Sequence, residues 1–200
     1  MSIKKLMPST RTGKWFICLL AVYLFGIANW LLPAIRTSSA LLNHVFMLLI
    51  FLLPSALSVL SFFVTKRIIF RFLLAFALIP LALSSFLIGA ISLFPLIDIM
   101  TKGYDPSFEH LRSTQLTCSQ VSIYRTNGGA TTSFGIIARQ EKRLIPGLLL
   151  VRNIYSVYPG DDAKIIKLDN DTIKIISPPY GDKRPMTDEV IIKVKYYVYL

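Results

Sequence analysis

FLLAFALIPLALSSFLIGAISLFPLI, residues Phe72 to Ile97, is a run of 26 residues without a charged side chain. As an α-helix it would be about 39 Å long, whereas the hydrocarbon core of a bilayer is about 30 Å thick. Backbone N–H and C=O groups find no water inside lipid, so a segment that crosses a membrane must be helical there. The run therefore predicts a transmembrane helix over residues 72–97.

Two similar runs precede it, from Trp15 to Ile35 with 21 residues and from Ala40 to Val64 with 25, again without a charge. The first exceeds the roughly 7–15 apolar residues of a secretory signal, and Pro33 stands where a cleavage site is expected. We expect this helix to be retained. The sequence predicts a membrane α-helical bundle with three transmembrane helices, at about 15–35, 40–64 and 72–97.

Charge is divided unevenly along the chain. All eleven acidic residues lie at Asp98 or after it, and residues 1–97 carry eight basic residues. Most of these basic residues fall in the N-terminal segment and in the loop before the third run: Lys4, Lys5, Arg11, Lys14, Lys66, Arg67 and Arg71. Positively charged loops stay in the cytoplasm. We therefore expect a multi-pass protein of the cell (inner) membrane, with a cytoplasmic N-terminus and everything after Ile97 periplasmic or extracellular.

The net charge of +11 comes mainly from these loops, because residues 98–200 carry fourteen basic and eleven acidic side chains. Basic residues beside apolar runs are typical of membrane topology, whereas nucleic-acid binding needs a basic face on the folded domain. We expect the lipid bilayer as a partner and no nucleic acid.

Residues 98–200 predict a connector followed by a small, mostly antiparallel β C-terminal domain. In the connector, residues 98–114, Asp105-Pro106 has the pattern of a helix N-cap followed by proline, which predicts a short helix through about Arg112. From 115 to 200 apolar residues recur with a period of two, which predicts a sheet or open barrel of roughly six strands with one buried face. The expected orientation of the helices makes this domain extracytoplasmic. The last strand is expected to bury one row of side chains: Val190, Ile192, Val194, Tyr196 and Val198.

A tight hairpin is predicted at Asn127-Gly128-Gly129, because glycine reaches positive φ without steric cost. Arg125 and Thr126 come directly before it on the first strand. These five residues form the candidate recognition loop. Two interpretations remain open, a purely structural turn, which we favour, and a surface that binds a partner.

The stretch IYRTNGGATT, from Ile123 to Thr132, resembles the opening of a small bacterial membrane-anchored domain family of unknown function. Asn153-Ile154-Tyr155 with Tyr158, and Ala163-Lys164-Ile165 with the segment after it to Ile173, are similar to two further segments of that family. The likeness covers residues 115–177. It departs from the pattern at Leu168, where an aromatic residue is usual, and in the number of transmembrane helices. The resemblance implies a fold and a membrane location but no activity.

No catalytic, cofactor-binding or metal-ligating set is recognisable in the sequence. Cys118 is the only cysteine after the third run and Cys18 lies in the first, so we expect no intramolecular disulfide. For Cys118 we favour a buried strand position over a free thiol or a disulfide between two copies of the chain. His110 beside Glu109 belongs to no recognisable serine–histidine–acid set. Asp161-Asp162 and Asp169-Asn170-Asp171 lack the EF-hand register, which favours turns over calcium sites.

Small residues recur at helical spacing in the third run, at Ser85, Gly89 and Ser92. Such a face permits close approach of another helix. Packing within the bundle is the favoured interpretation, and an interface with a second membrane protein is the other; the oligomeric state stays open.

Taken together, these features predict a non-enzymatic integral membrane protein that presents an exported β domain for protein binding in the cell envelope. An immunity protein against an envelope-targeting toxin is one alternative, because binding a toxin requires only a surface. An accessory subunit of a membrane enzyme acting on lipid-linked material is the other.

Overall fold

The structure, a computed structural model, describes residues 11–32, 34–64, 68–127 and 132–195. Three helices and eight strands lie in these ranges, in the order α1 (Arg11–Leu31), β1 (Ile35–Thr37), α2 (Ala40–Val64), α3 (Ile68–Lys102), β2 (Phe108–Gln115), β3 (Gln120–Asn127), β4 (Phe134–Ile145), β5 (Leu148–Val157), β6 (Lys164–Lys167), β7 (Thr172–Ser177) and β8 (Asp188–Lys193). The chain forms two compact units. The helical unit contains Met1–Leu32 and Leu41–Ile97, and the β unit contains Pro33–Ala40 and Asp98–Leu200.

All three helices are long and apolar enough to cross a membrane, with 21, 25 and 35 residues and a mean hydropathy of 1.6, 2.4 and 2.3 over an apolar stretch of 18 residues in each. Their outward surface is apolar: Phe76 on α3, for example, is 81% exposed. The three predicted helices are present, and α2 has the predicted bounds. The helix α3 is longer than predicted at both ends, since it begins at Ile68 and continues past Ile97 to Lys102, where Asp98 and Lys102 form a salt bridge of 2.8 Å. The helix α1 is shifted against its predicted bounds of 15–35, since it runs from Arg11 to Leu31.

The small residues of α3 pack inside the helical unit. Ser85, Gly89 and Ser92 are buried. A Cβ atom added at Gly89 would lie 3.7 Å from the side chains of Leu48 and Phe51 of α2, which is ordinary contact distance. The Ser92 hydroxyl donates a hydrogen bond of 2.7 Å to the Gly89 carbonyl and so needs no partner outside. These contacts agree with packing within the bundle.

The β unit is built from two antiparallel sheets that share one core. The larger sheet has the strand order β1-β5-β4-β3-β2, and the smaller has the order β6-β7-β8. Fully buried side chains of both sheets meet in a single cluster, among them Ile123 and Ile136 of the larger sheet and Ile173 and Ile175 of the smaller. The expected antiparallel β fold is therefore present, as two packed sheets with eight short strands.

The last strand follows the predicted alternation over its described part. Val190 and Ile192 of β8 are half-buried, their neighbours Glu189 and Ile191 are exposed, and Val194 is buried. Tyr196 and Val198, which the same pattern assigns to the buried row, lie outside the described residues.

One strand of the larger sheet comes from the loop between the first two helices. β1 pairs with the start of β5, Ile35 opposite Leu150 and Thr37 opposite Leu148. The pairing continues on both sides, since Val151 N–H donates to the Ala34 carbonyl at 2.8 Å and Ser38 N–H donates to the Gly147 carbonyl at 3.0 Å. Three residues are too few for a period to show in the sequence, and this strand was not predicted.

The short helix predicted from Asp105 to about Arg112 is wrong. The Asp105 carboxylate accepts hydrogen bonds from the Ser107 N–H at 2.9 Å and the Ser107 hydroxyl at 2.6 Å, which form a turn. The chain then enters β2, which pairs with β3 from Phe108 to Gln115 with one irregularity between His110 and Arg112. The backbone hydrogen bonds between β2 and β3 therefore outweigh the local helix-capping pattern at Asp105.

Cys118 is also placed differently from the prediction. It lies in the turn between β2 and β3 and is exposed, whereas a buried strand position was expected. The residues that bury themselves at this turn are its neighbours Leu116 and Ser119. Both cysteines of the chain are free thiols.

The role of β1 predicts different effects of proline at adjacent positions. In the alternating ladder, the Arg36 N–H points to β5 and the Thr37 N–H points away from it. Arg36→Pro should therefore lower the free energy of unfolding of the β unit by about 3 kcal/mol, and the matched variant Thr37→Pro by clearly less. Thermal unfolding of the full chain in detergent measures both; equal losses would show that the β1 ladder contributes nothing.

Candidate binding surface

Arg125, the first residue of the predicted recognition loop, contacts other side chains of the β unit. Its guanidinium forms salt bridges with Glu109 at 2.5 Å and with Asp161 at 2.8 Å. It also lies 4.9 Å from the ring centroid of Phe134. The hydrogen bond to Glu109, and then the one to Asp161, raise the pKa of Arg125. These contacts tie β2, β3 and the β5–β6 connection together, which favours the structural interpretation for this residue.

The other loop residues serve the hairpin as far as they are described. Thr126 lies opposite Gly135, where an added Cβ would stand 2.8 Å from the Thr126 hydroxyl oxygen. Only glycine fits opposite Thr126 without a shift. Asn127 ends β3, and its N–H donates to the Ser107 carbonyl at 3.0 Å. Gly128 and Gly129, the two turn residues of the prediction, lie outside the described residues.

The aspartate pairs are used for ion pairs and turns. Asp162 forms a salt bridge of 2.7 Å with Arg112, which parallels the pairing of Asp161 with Arg125. Asp169 accepts a hydrogen bond from the Asn170 N–H at 2.6 Å, and Asp171 accepts one from the Thr172 hydroxyl at 2.9 Å. Within the described ranges, no group of three or more His, Cys, Asp or Glu residues is arranged to hold a metal ion.

A different group of side chains is brought together on the outer face of the larger sheet, opposite the face that packs on the smaller sheet. Cross-strand pairing creates it, since His110 lies opposite Tyr124 and Ser122 lies opposite Arg139. We call this group the Arg139 cluster. It consists of Phe108, His110, Ser122, Tyr124, Arg139, Glu141 and Asn153.

Aromatic contacts form the centre of the Arg139 cluster. The rings of Phe108 and Tyr124 are stacked with centroids 4.5 Å apart, and the ring of His110 meets Tyr124 edge-on at 5.4 Å. The Arg139 guanidinium lies 4.6 Å from the Phe108 centroid and 5.4 Å from the Tyr124 centroid. A guanidinium over aromatic rings is held by cation–π attraction, and the attraction grows when water is excluded.

A buried carboxylate fixes the orientation of Tyr124. Glu141 is 9% exposed and accepts hydrogen bonds from the Tyr124 hydroxyl at 2.6 Å and the Ser122 hydroxyl at 3.0 Å. Burial, and then the hydrogen bond to Glu141, raise the pKa of Tyr124. The hydroxyl therefore stays a donor over the whole range of ordinary pH. Two donors hold the carboxylate, and the ring under Arg139 cannot turn freely.

The charged guanidinium of Arg139 has few polar partners among the described residues. Its Nε donates to the Asn153 side-chain oxygen at 3.2 Å. Among the described residues, no carboxylate forms a salt bridge with it, and its two terminal nitrogens donate no side-chain hydrogen bond. Burial lowers the pKa of Arg139, which means that the charge is desolvated without full compensation. Such a guanidinium is suited to receive a carboxylate or a phosphate oxygen from a ligand.

The Arg139 cluster supports binding better than it supports catalysis. His110 contacts an aromatic edge, and its sequence neighbour Glu109 is paired with Arg125, so neither orients the other. The carboxylate of Glu141 is held by two hydroxyl groups, one of which belongs to a tyrosine of raised pKa. Rigid aromatic and guanidinium groups that are held in place before a ligand arrives are typical of recognition surfaces.

Sequence reasoning missed this surface because its members come from four strands. The predicted hairpin register does not reveal it either. A two-residue turn at Gly128-Gly129 would place Ser122 opposite Gly135, whereas in the structure Asn127 lies opposite Phe134, and Ser122 therefore lies opposite Arg139. The approach of β2 to β3, which adds Phe108 and His110, was hidden by the helix predicted there.

Comparison with protein-family models, with curated proteins and with solved structures found no match to this chain. The resemblance of residues 115–177 to a small membrane-anchored domain therefore stays a prediction.

Removal of one hydroxyl tests the coupling of Tyr124 to Glu141. Tyr124→Phe leaves the buried carboxylate with one donor fewer, and hydrogen bonds to charged groups contribute about 1.5–3 kcal/mol. We expect a loss of that size in the free energy of unfolding, measured by chemical denaturation of the full chain in detergent. Tyr158→Phe is the matched control, since Tyr158 is exposed and its hydroxyl accepts a hydrogen bond from the Ser133 N–H at 3.2 Å rather than donating to a buried carboxylate.

The raised pKa of Tyr124 gives this difference a pH dependence. A tyrosine whose pKa is raised on folding contributes stability that is complete below its unfolded pKa, about 10, and decreases as the pH rises above that value. The gap between wild type and Tyr124→Phe should be constant from pH 7 to pH 9.5 and shrink at pH 10–11.5. A gap that stays constant above pH 10 would contradict the buried hydrogen bond.

Proposed function

We propose that this chain is a multi-pass protein of the cell membrane in which α1, α2 and α3 each cross the bilayer. Helix length and an outward apolar surface support this proposal. The N-terminus and the loop between α2 and α3 then lie in the cytoplasm, because the chain up to the first turn of α1, and the segment from that loop to the first turn of α3, carry seven of the eight basic residues of the first 97. The β unit lies on the opposite side, in the periplasm or outside the cell.

The position of β1 supports this arrangement independently of charge. Residues 33–40 connect α1 to α2, and they belong to the same compact unit as residues 98–200, which follow α3. Two segments of one folded unit must lie on one side of a membrane. Two crossings separate these segments along the chain, and an even number of crossings returns the chain to the same side.

We further propose that the exported β unit binds another protein and that the Arg139 cluster is the contact surface. The observation that carries this proposal is a half-buried guanidinium that lies over two aromatic rings, with no ion pair among the described residues. Arg and Tyr dominate the energetics of protein interfaces, where fully desolvated pairs contribute most. An acidic side chain of the partner is the group that Arg139 would receive.

Site-specific photocrosslinking in intact cells tests the binding proposal. The photoreactive residue replaces Ser156 of β5, which is exposed. Ser156 lies opposite Ile137 of β4, on the sheet face that carries the Arg139 cluster. We expect a protein adduct at Ser156 and its loss in the Arg139→Gln variant, with partial retention in Arg139→Lys. The matched control is Leu168, an exposed residue at the turn after β6, where no such dependence on Arg139 is expected.

Two results would contradict the binding proposal. One is a protein adduct that persists in Arg139→Gln while that variant keeps its melting temperature. The other is an adduct with lipid-linked material alone, which would favour an accessory role beside a membrane enzyme, because Arg139 also suits phosphate oxygens.

Reporter fusions test the orientation. A reporter active only in the cytoplasm should work when it is fused after Arg71 and fail when it is fused after Leu200. The matched control is a reporter active only outside the cytoplasm, for which the two results should be exchanged. Cytoplasmic activity of the Leu200 fusion would overturn the exported location of the β unit.

A further inference from the structure

The hairpin that joins β4 to β5 has an exposed, apolar tip with basic residues behind it. Leu144 is 48% exposed and Ile145 is 60% exposed, and Arg143, Pro146 and Gly147 are exposed as well. Gly147 has a φ of 83°, which closes the turn in a conformation that other residues rarely adopt.

The tip is fastened to a segment that leads directly into a helix. Ser38 N–H donates to the Gly147 carbonyl at 3.0 Å, and Thr37 lies opposite Leu148. Ser38 is two residues before Ala40, where α2 begins. Two residues of extended chain span no more than about 7 Å. If α2 enters lipid at its first residues, the hairpin turn is therefore held at the depth of the lipid headgroups.

The charges next to the tip suit that location. Lys142 and Arg143 precede Leu144, and Arg36 of β1 lies opposite Leu149, which also faces Arg143. Within the described part of the chain, no carboxylate forms a salt bridge with Lys142 or Arg143. Lysine and arginine side chains bury their stems in apolar surroundings and extend their charged ends to phosphate groups.

We propose that the β4–β5 hairpin tip inserts Leu144 and Ile145 into the interface of the bilayer that holds the helices, with Lys142 and Arg143 at the phospholipid phosphates. This inference rests on the membrane insertion included in the proposed function, and it is independent of the binding of a protein partner. The hairpin is then a second anchor that fixes the depth of the β unit at the membrane surface.

Spin labels in the full chain measure the depth of the tip. In a background of Cys18→Ser and Cys118→Ser, single cysteines at Ile145 and Leu168 are labelled and the protein is reconstituted in vesicles of phosphatidylcholine and phosphatidylglycerol. Leu168 is the matched control, an aliphatic residue that is 51% exposed at the turn after β6, beside Asp169. Collision with oxygen reports lipid, and collision with a water-soluble nickel chelate reports water.

We expect the ratio of oxygen to nickel collisions at residue 145 to exceed that at residue 168 by at least threefold. Equal ratios at the two sites would overturn the proposal, and so would a label at 145 that is shielded from both reagents, because that result indicates a protein contact. A third label at Phe94, which is 70% exposed on α3, distinguishes a failure of membrane insertion from a failure of the hairpin anchor. A water-accessible Phe94 would contradict membrane insertion itself, whereas a lipid-accessible Phe94 with a water-accessible residue 145 would contradict the hairpin anchor alone.

The basic residues provide a second readout. Arg143→Glu should lower the collision ratio at residue 145 by about half in vesicles with phosphatidylglycerol, because a carboxylate is repelled by anionic headgroups. The matched variant Lys167→Glu should leave the ratio unchanged. An Arg143→Glu variant with an unchanged ratio would overturn the assignment of Arg143 to the phosphates.

Discussion

Pairing between β1 and β5 constrains more of this molecule than any other interaction. A loop of eight residues between two apolar helices would otherwise have to satisfy its backbone groups with water, whereas here it completes the edge of a sheet formed by residues far along the chain. The ladder also places residues 33–40 in the β unit, and the connection to residues 98–200 then requires that both lie on one side of any membrane the helices cross. The three residue pairs between β1 and β5 therefore link the fold of the β unit to the membrane topology of the helices.

The same sheet carries the proposed binding surface on one of its faces. Its inner face is filled by the aliphatic side chains shared with the smaller sheet, and its outer face carries the Arg139 cluster. Glu141 holds Tyr124 and Tyr124 supports Arg139, so a carboxylate that is itself buried arranges a cation that has no salt bridge within the part of the chain that the structure describes. Because the side chains are ordered in advance, a ligand would pay little of the conformational entropy that usually opposes binding.

The sequence predicted the features that depend on local composition. The bounds of α2 follow from the loss of apolar character at each end, and the inward row Val190, Ile192 and Val194 follows from period-two alternation. The sequence failed where a long-range contact decides. β1 has three residues and no periodic signal, β2 replaces a helix whose N-cap pattern at Asp105 serves a turn, and Cys118 lies in an exposed turn between two strands. The binding surface depends on register across four strands, which single-sequence patterns do not contain.

A disulfide between β1 and β5, formed inside the cell, tests the central claim most directly. Thr37 and Leu148 lie opposite each other at a position of the ladder where the two residues exchange no backbone hydrogen bonds, and such pairs are close enough for a disulfide. In a background without the native cysteines, Thr37→Cys with Leu148→Cys should oxidise without added oxidant and resist a thiol-reactive polyethylene glycol, because the proposed exported location exposes the β unit to an oxidising compartment. Thr37→Cys with Leu168→Cys should remain reduced. Two free thiols in the first variant, modified as fully as in the second, would contradict the account.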